Sequence, residues 1–253
     1  LIVSDLCELT IDAVYGRGVR LASAGRLEAD MPAHAYPASA VDTVRLGRVL
    51  VADDFRVKAP EGCGDSAEVR VIGVVENQAP TKALTARLPV ENGIAMTDPD
   101  QDVCRIALVE RHRASGSLTN GFVSGFGYRG HCAMASTVAH DSHHMIVVGT
   151  SEEDMALAAN RLGEVGGGVV FFADGEEKAL IEMPIAGLMS SERAEIVAEK
   201  ADRLIAAMSA AGCGLNNAYM QHSLLALVVI PALRISDKGI VDSENFRIVD
   251  LFV

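Results

Sequence analysis

The hydrophobic pattern of the chain contains two stretches with helical periodicity. In the first, apolar positions at i, i+3, i+4 and i+7 form one buried stripe: Met155, Ala158, Ala159 and Leu162. Ser151 precedes this stripe and is followed by three acidic residues, which is typical of a helix N-terminus. The pattern therefore predicts a helix from Ser151 to Gly163.

A second helix is predicted from Ser190/Ser191 to Gly212, which supplies the terminating glycine. We expect its core face to carry the larger apolar residues of the stretch: Val197, Ala201, Leu204, Ile205 and Met208. Short β-branched runs elsewhere predict strands: Val69–Val75, Val103–Glu110, His144–Gly149, Val169–Phe172, Leu180–Met183, Leu224–Ile230 and Phe246–Val253. Three X-Pro pairs predict loops: Ala79-Pro80, Leu88-Pro89 and Asp98-Pro99. This mixture indicates an α+β fold with a mixed sheet and packed helices.

Residues 1–38 form a separate pattern of short strands at Leu1–Val3, Ile11–Tyr15 and Val19–Leu21. A proline-containing segment of small residues follows, so we predict a boundary near residue 40 and a second domain over 40–253. A hairpin this small is marginal in water. The chain also opens without an initiator methionine. We therefore expect it to be part of something longer.

Composition narrows the class of protein. The chain has 253 residues, 49% of them hydrophobic, and carries 22 basic against 34 acidic residues, a formal charge of −12. No basic stripe stands out, which argues against nucleic acid as a partner. The longest apolar run, Leu224–Leu233, contains Pro231 and is too short to span a membrane. Five cysteines without a CxxC pair fit a reducing, cytoplasmic setting.

The densest chemistry lies where a loop enters a predicted strand, with three of the seven histidines and one carboxylate in five residues: His140, Asp141, His143 and His144. Such a group can bind a metal, shuttle protons or hydrogen-bond a polar ligand. A metal site made by these residues alone is disfavoured, because His140, Asp141 and His143 do not share the i, i+4 helical face of a helical metal motif and adjacent strand residues point apart. The structural alternative is that His143 and His144 alternate across a strand and that Asp141-Ser142 is an ordinary turn.

Other segments give weaker signals. Residues 125–130 formally match GxGxxG, but a dinucleotide site also requires a preceding strand, a following helix and a later acidic residue. The alternative is a glycine-rich loop that allows close backbone approach or a flexible lid. The run Glu110–Arg113 is interpreted as a solvated, charged strand end, and Asn216-Asn217 as turn residues.

Taken together, the segments Ser136–Ser190 and Ser223–Asp242 closely resemble the C-terminal domain of the bacterial adenine deaminase family, of the amidohydrolase superfamily. The resemblance covers residues 40–253. Residues 1–38 resemble the last strands of the small β-sandwich that follows the barrel in such enzymes. Because a (β/α)8 barrel takes about 250 residues by itself, the resemblance implies that the barrel is not in this chain.

The resemblance implies metal-dependent hydrolysis of adenine to hypoxanthine and ammonia. Manganese, iron or zinc would be held by the missing barrel, and no metal is expected in this chain. The expected partners are adenine, the upstream barrel and further copies of the chain.

For the site, the resemblance implies that residues 140–143 line or cover the purine pocket. Asp141 would accept a hydrogen bond from a purine N–H, and His140 or His143 would relay a proton. Ser142, Gly125 and Gly127 are the expected substrate contacts. The family commonly carries Asn at the position of His144. Two alternatives remain: a non-catalytic domain for oligomerisation or stability, and an independent metal-binding module.

Overall fold

The computed structural model describes residues 1–32 and 34–253, and the chain divides into two compact units, Leu1–Tyr36 and Pro37–Val253. The first unit is an antiparallel sheet whose strands follow chain order: β1 (Ile2–Asp5), β2 (Thr10–Gly16), β3 (Val19–Ser23) and β4 (Arg26–Leu27). Its three predicted strands are confirmed. In the described part of this unit Ala13 is the one buried hydrophobic residue, so the sheet has little core of its own.

The second unit is built on a ten-stranded sheet of order β14-β13-β11-β12-β9-β10-β6-β7-β8-β5. Its strands are β5 (Val57–Lys58), β6 (Ser66–Gly73), β7 (Lys82–Glu91), β8 (Ile94–Ala95), β9 (Val103–Val109), β10 (Leu118–Ser124), β11 (Cys132–Ser136), β12 (Met145–Gly149), β13 (Gly168–Ala173) and β14 (Glu176–Glu182). A three-stranded sheet follows: β15 (Leu233–Ser236), β16 (Gly239–Asp242) and β17 (Arg247–Val249). Among the described residues β6 and β10 form the one parallel pair, so the mixed α+β prediction is confirmed and these strands form no parallel barrel.

Within the described residues four α-helices accompany the sheets: α1 (Ala38–Val41), α2 (Glu152–Val165), α3 (Ala194–Ala210) and α4 (Ala218–Leu224). The predicted start of α2 is confirmed, because the Ser151 hydroxyl accepts the Asp154 N–H at 3.2 Å. Gly166, with a φ of 78°, ends the helix in the left-handed region. No helix in the described ranges is long and apolar enough to cross a membrane.

The central strands of the large sheet are buried on both faces. Along β9 all seven residues are buried, and residues 106–109 alternate between two apolar clusters. Ile106 and Leu108 belong to the cluster that includes α3 residues, whereas Ala107 and Val109 belong to the cluster that includes α2 residues. The predicted stripe of α2 lies entirely in the second cluster. A central strand buried on both faces explains why its apolar run is nearly continuous.

Two predictions about the bounds of elements are wrong. Leu88-Pro89 is not a loop but lies within β7, where Pro89 pairs with Ser66 at the first residue of β6, a sheet margin that tolerates a missing N–H. The second long helix begins at Ala194 rather than at Ser190/Ser191, since the Ser190 hydroxyl accepts the Glu192 N–H in a turn of its own.

The core face predicted for α3 holds in part. Leu204 and Met208 are buried, but Ile205 is 62% exposed because it lies one residue, about 100° around the helix, beyond Leu204.

The segment Leu224–Ile230 is not a strand. Leu224 ends α4, and the residues after it form hydrogen-bonded turns. The buried Arg234 guanidinium fixes those turns by donating to the Leu224 carbonyl at 2.9 Å and the Ile230 carbonyl at 2.8 Å.

Candidate functional site

The histidine-rich segment forms a turn between two fully buried strands, β11 and β12. We call residues 139–144 the histidine turn. Asp141 and Ser142 are exposed, His140 and His143 are half-buried, and His144 is buried. The four predicted residues from His140 to His143 are therefore brought together, on a short surface turn anchored in the core.

Hydrogen bonds close the turn on itself. The His143 N–H donates to the Ala139 carbonyl at 2.7 Å, and the Ala139 N–H donates to His143 Nδ1 at 3.2 Å. Because Nδ1 accepts, the single proton of a neutral His143 ring sits on Nε2. The His140 N–H donates to the Ser223 carbonyl at 2.9 Å, which ties the turn to the end of α4.

Burial and neighbouring charges favour neutral imidazoles at His143 and His144. Burial lowers the pKa of His143, and the neighbouring His140 and Arg111 lower it further. The ring centroids of His140 and His143 are 5.2 Å apart in an edge-on arrangement. Burial also lowers the pKa of His144, with His112 as the next cause, and these two rings lie 4.8 Å apart.

Arg111 lies beneath the turn, just after the end of β9, and is 1% exposed. Its Nε donates to the His143 carbonyl at 2.5 Å, Nη1 to the Thr43 carbonyl at 3.2 Å, and Nη2 to the Ala186 carbonyl at 3.2 Å. Burial lowers its pKa to about 10, so the group stays charged at neutral pH. None of the ion pairs among the described residues involves Arg111. Three backbone carbonyls therefore solvate this cation.

His112 is exposed, and its Nε2 lies 2.8 Å from the Ser142 carbonyl. A carbonyl only accepts, so Nε2 of His112 carries the proton. The buried Glu110 carboxylate in turn accepts the backbone N–H of His112 and of Arg113. The interpretation of Glu110–Arg113 as a solvated strand end is therefore wrong for Glu110 and Arg111. The available signal was a run of ionisable residues directly after a strand buried on both faces.

Close backbone packing around Thr137 and Gly187 holds the segments that surround Arg111. The Thr137 hydroxyl donates to the Gly187 carbonyl at 2.6 Å and accepts the Gly168 N–H at 2.7 Å. A Cβ at Gly187 would lie 2.8 Å from Arg111 Nη1, and its φ of 70° is itself unfavourable for other residues. Glycine is required here for the guanidinium to reach its carbonyls.

The predicted glycine contacts lie in a different loop, after β10. The N–H groups of Gly125 and Gly127 donate to the Asp102 carboxylate at 2.8 Å and 2.7 Å, and a Cβ at Gly127 would lie 2.9 Å from the Gly212 carbonyl. The loop leads into β11, not into a helix, so it lacks the dinucleotide-binding arrangement. Its geometry is that of close backbone approach, and substrate contact by these glycines stays a prediction.

His222 was not identified from the sequence. It is fully buried on α4, and neither ring nitrogen has a hydrogen-bond partner among the described residues. Its ring packs edge-on against Phe126 with centroids 6.2 Å apart. Burial lowers its pKa to about 3, so the ring is neutral at pH 7. The next residue, Ser223, supplies the carbonyl that holds His140.

Comparison with known proteins places these features in a family. The family model described as adenine deaminase C-terminal domain matches residues 78–247. Over 253 residues the chain is 66% identical to an adenine deaminase of Mesorhizobium japonicum, covering all of this chain and 42% of that protein. It is 64% identical to adenine deaminase 3 of Rhizobium meliloti, again covering all of this chain and 42% of the relative. The identity to an adenine deaminase of Rubrobacter xylanophilus is 44%, covering 99% of this chain and 41% of that protein.

Proposed function

The chain belongs to the adenine deaminase family, and from this membership we propose that it is the C-terminal part of an enzyme that hydrolyses adenine to hypoxanthine and ammonia. The chain spans about 42% of the length of two of these relatives, and we assign the rest of the machinery to a barrel outside this chain. The role of the present chain is to supply the histidine turn to the purine pocket of that barrel.

One observation carries this role: exposed and half-exposed groups able to transfer protons sit on a turn whose backbone is fixed by two side chains, one buried and one exposed. The Ser142 and His143 carbonyls are both held by side chains of the β9 end. Such pre-organisation keeps reactive groups in place at a binding site.

The residues of the turn are assigned by their bonding. Asp141 is exposed and accepts a hydrogen bond from a purine N–H. His140 donates its backbone N–H to the Ser223 carbonyl, and its imidazole ring relays a proton. His143 is anchored through Nδ1, so its Nε2–H is the group that faces a ligand as a donor. Ser142 lies between them and contributes a hydroxyl.

The metal ion of the reaction, manganese, iron or zinc, is assigned to the barrel. The donor set of this chain does not fit such an ion, because in residues 1–32 and 34–253 no three His, Cys, Asp or Glu side chains converge to hold one. When bound, the metal supplies an activated water for hydrolysis. The residues of this chain orient the purine and move protons.

The test uses the complete enzyme. Asp141→Asn should lower kcat/KM for adenine about 10- to 100-fold, the effect of losing a hydrogen bond to a charged acceptor. His140→Ala should lower kcat about 100-fold or more, as for loss of a proton-transfer group. Matched controls are Asp202→Asn and His131→Ala, both on exposed side chains, which should leave turnover unchanged.

Unchanged kcat/KM in Asp141→Asn would contradict the pocket role. If His140→Ala and His143→Ala instead lowered Tm or dissociated the enzyme while turnover per folded molecule stayed intact, the turn would serve structure or assembly. The 253-residue chain alone should be inactive on adenine. Deamination by that chain alone would refute the proposed division of labour.

A further inference from the structure

Two adjacent side chains at the end of β9 hold two adjacent carbonyls of the histidine turn. The Arg111 guanidinium reaches the His143 carbonyl at 2.5 Å, and the His112 imidazole reaches the Ser142 carbonyl at 2.8 Å. Peptide carbonyls on either side of one residue fix the plane of both peptide groups. The direction in which the His143 side chain leaves the backbone is then fixed as well.

The two contacts are built differently. Arg111 is buried and also holds the Thr43 and Ala186 carbonyls, so it joins the turn to two other loops. His112 is exposed, and its ring reaches one backbone carbonyl, that of Ser142, while lying 4.8 Å from the His144 ring. Its backbone N–H is fixed at 2.5 Å by the Glu110 carboxylate, which limits where the imidazole can point.

The desolvation cost of the buried Arg111 guanidinium indicates that its role is to fix the positions of the carbonyls it contacts. A buried guanidinium loses hydration, and among the described ion pairs it gains no carboxylate in return. An apolar side chain would fill the same space without that cost. What an apolar side chain lacks is the planar fork that reaches three carbonyls in fixed directions.

We propose that Arg111 and His112 are the positioning residues of the adenine deaminase reaction in this chain, holding the histidine turn so that Asp141 and His140 meet the purine. This inference rests on the proposed function of the turn. Neither residue is assigned a contact with adenine. Both act through the Ser142 and His143 carbonyls.

The sharpest test is at His112, because its exposure makes the fold insensitive to substitution. In the complete enzyme, His112→Phe keeps a ring but removes the donor, and should lower kcat/KM for adenine about 10- to 100-fold, as expected when catalytic groups are displaced by about 1 Å. His112→Gln restores an N–H donor without a titrating group, and should recover most of the activity. Both variants should keep the Tm of the parent.

A readout independent of activity is hydrogen–deuterium exchange of the peptide spanning residues 139–145. His112→Phe should increase its deuterium uptake, and His112→Gln should not. Arg111→Lys keeps the charge but loses the fork, and should raise uptake in the same peptide and around residues 43 and 186. If Arg111→Lys fails to fold, the two His112 variants alone decide the test.

The outcomes separate the two proposals. If Asp141→Asn lowers kcat/KM but His112→Phe changes neither kcat/KM nor uptake, the positioning role is wrong and the pocket role stands. If His112→Phe increases uptake while Asp141→Asn and His112→Phe both leave kcat/KM unchanged, the turn is held as described but does not serve the reaction. Equal losses in His112→Phe and His112→Gln would also overturn the positioning role.

Discussion

The free energy that fixes the β9 end can be measured at Glu110. The two carboxylate oxygens take four hydrogen bonds: the N–H groups of His112 at 2.5 Å, Arg113 at 2.8 Å and Ser115 at 3.1 Å, and the Ser115 hydroxyl at 2.9 Å. Burial alone would raise the pKa of the Glu110 carboxyl. The four donors outweigh burial and hold that pKa at about 2, against an ordinary value of 4.5.

The difference between the two pKa values sets the expected magnitude. It amounts to about 2.5 pH units, or roughly 3 kcal/mol of preference of the folded state for the ionised carboxylate. Because the folded-state pKa of Glu110 is lowered, this stabilisation is present above about pH 4.5 and is lost as the pH falls toward 2. Glu110→Gln keeps the shape of the side chain, removes the charge, and turns an amide group toward donors.

The assay is urea unfolding followed by far-ultraviolet circular dichroism, since the chain contains no tryptophan. At pH 7, Glu110→Gln should lower the free energy of unfolding by about 3 kcal/mol, and the deficit should shrink as the pH falls from 4.5 to 3. The control is Glu199→Gln on the exposed face of α3, expected to change stability by about 0.5 kcal/mol or less. A deficit below about 1 kcal/mol at pH 7, or one that is the same at pH 3, would refute the reasoning.

Three further changes test other parts of the structure. Gly168→Ala should lower the free energy of unfolding in urea by about 3 kcal/mol or more, because its Cβ would lie 2.0 Å from the Ile181 carbonyl oxygen. In the control Gly175→Ala the new Cβ meets open space, and the free energy of unfolding should fall by about 1 kcal/mol because of the φ of 78°. Ser151→Ala removes the cap of α2 and should cost about 1 kcal/mol, read from the urea midpoint; no loss would show that the cap is dispensable. The parent should lose stability as the pH falls from 6.5 toward 3, in part because His222 binds a proton in the unfolded state but stays neutral in the folded state. The free energy of unfolding of His222→Phe should therefore depend less on pH between 7 and 4.5. An unaltered dependence would contradict the buried, neutral state of His222.

The sequence predicted those elements whose determinants lie close together in the chain. For α2, the cap at Ser151 and the apolar stripe occupy one continuous stretch, and both are found as expected. The turn from His140 to His143 was likewise visible as a local cluster. The missed elements depend on distant partners: Pro89 is tolerated in a strand only because of its position opposite Ser66, and the turns after Leu224 are fixed by Arg234.

The same distinction explains why Arg111 was missed although the turn above it was found. A charged run after a strand is ordinarily solvated, and only the arrival of the Thr43, His143 and Ala186 carbonyls makes burial of a guanidinium acceptable. These carbonyls come from segments 32 to 75 residues away. Every residue has a backbone carbonyl, so the residue types of the sequence do not show which carbonyls will accept these hydrogen bonds. The residue types in a sequence therefore show where ionisable groups cluster. A residue such as Arg111, which positions that cluster, is identified only when the fold brings the backbone carbonyls that accept its hydrogen bonds together.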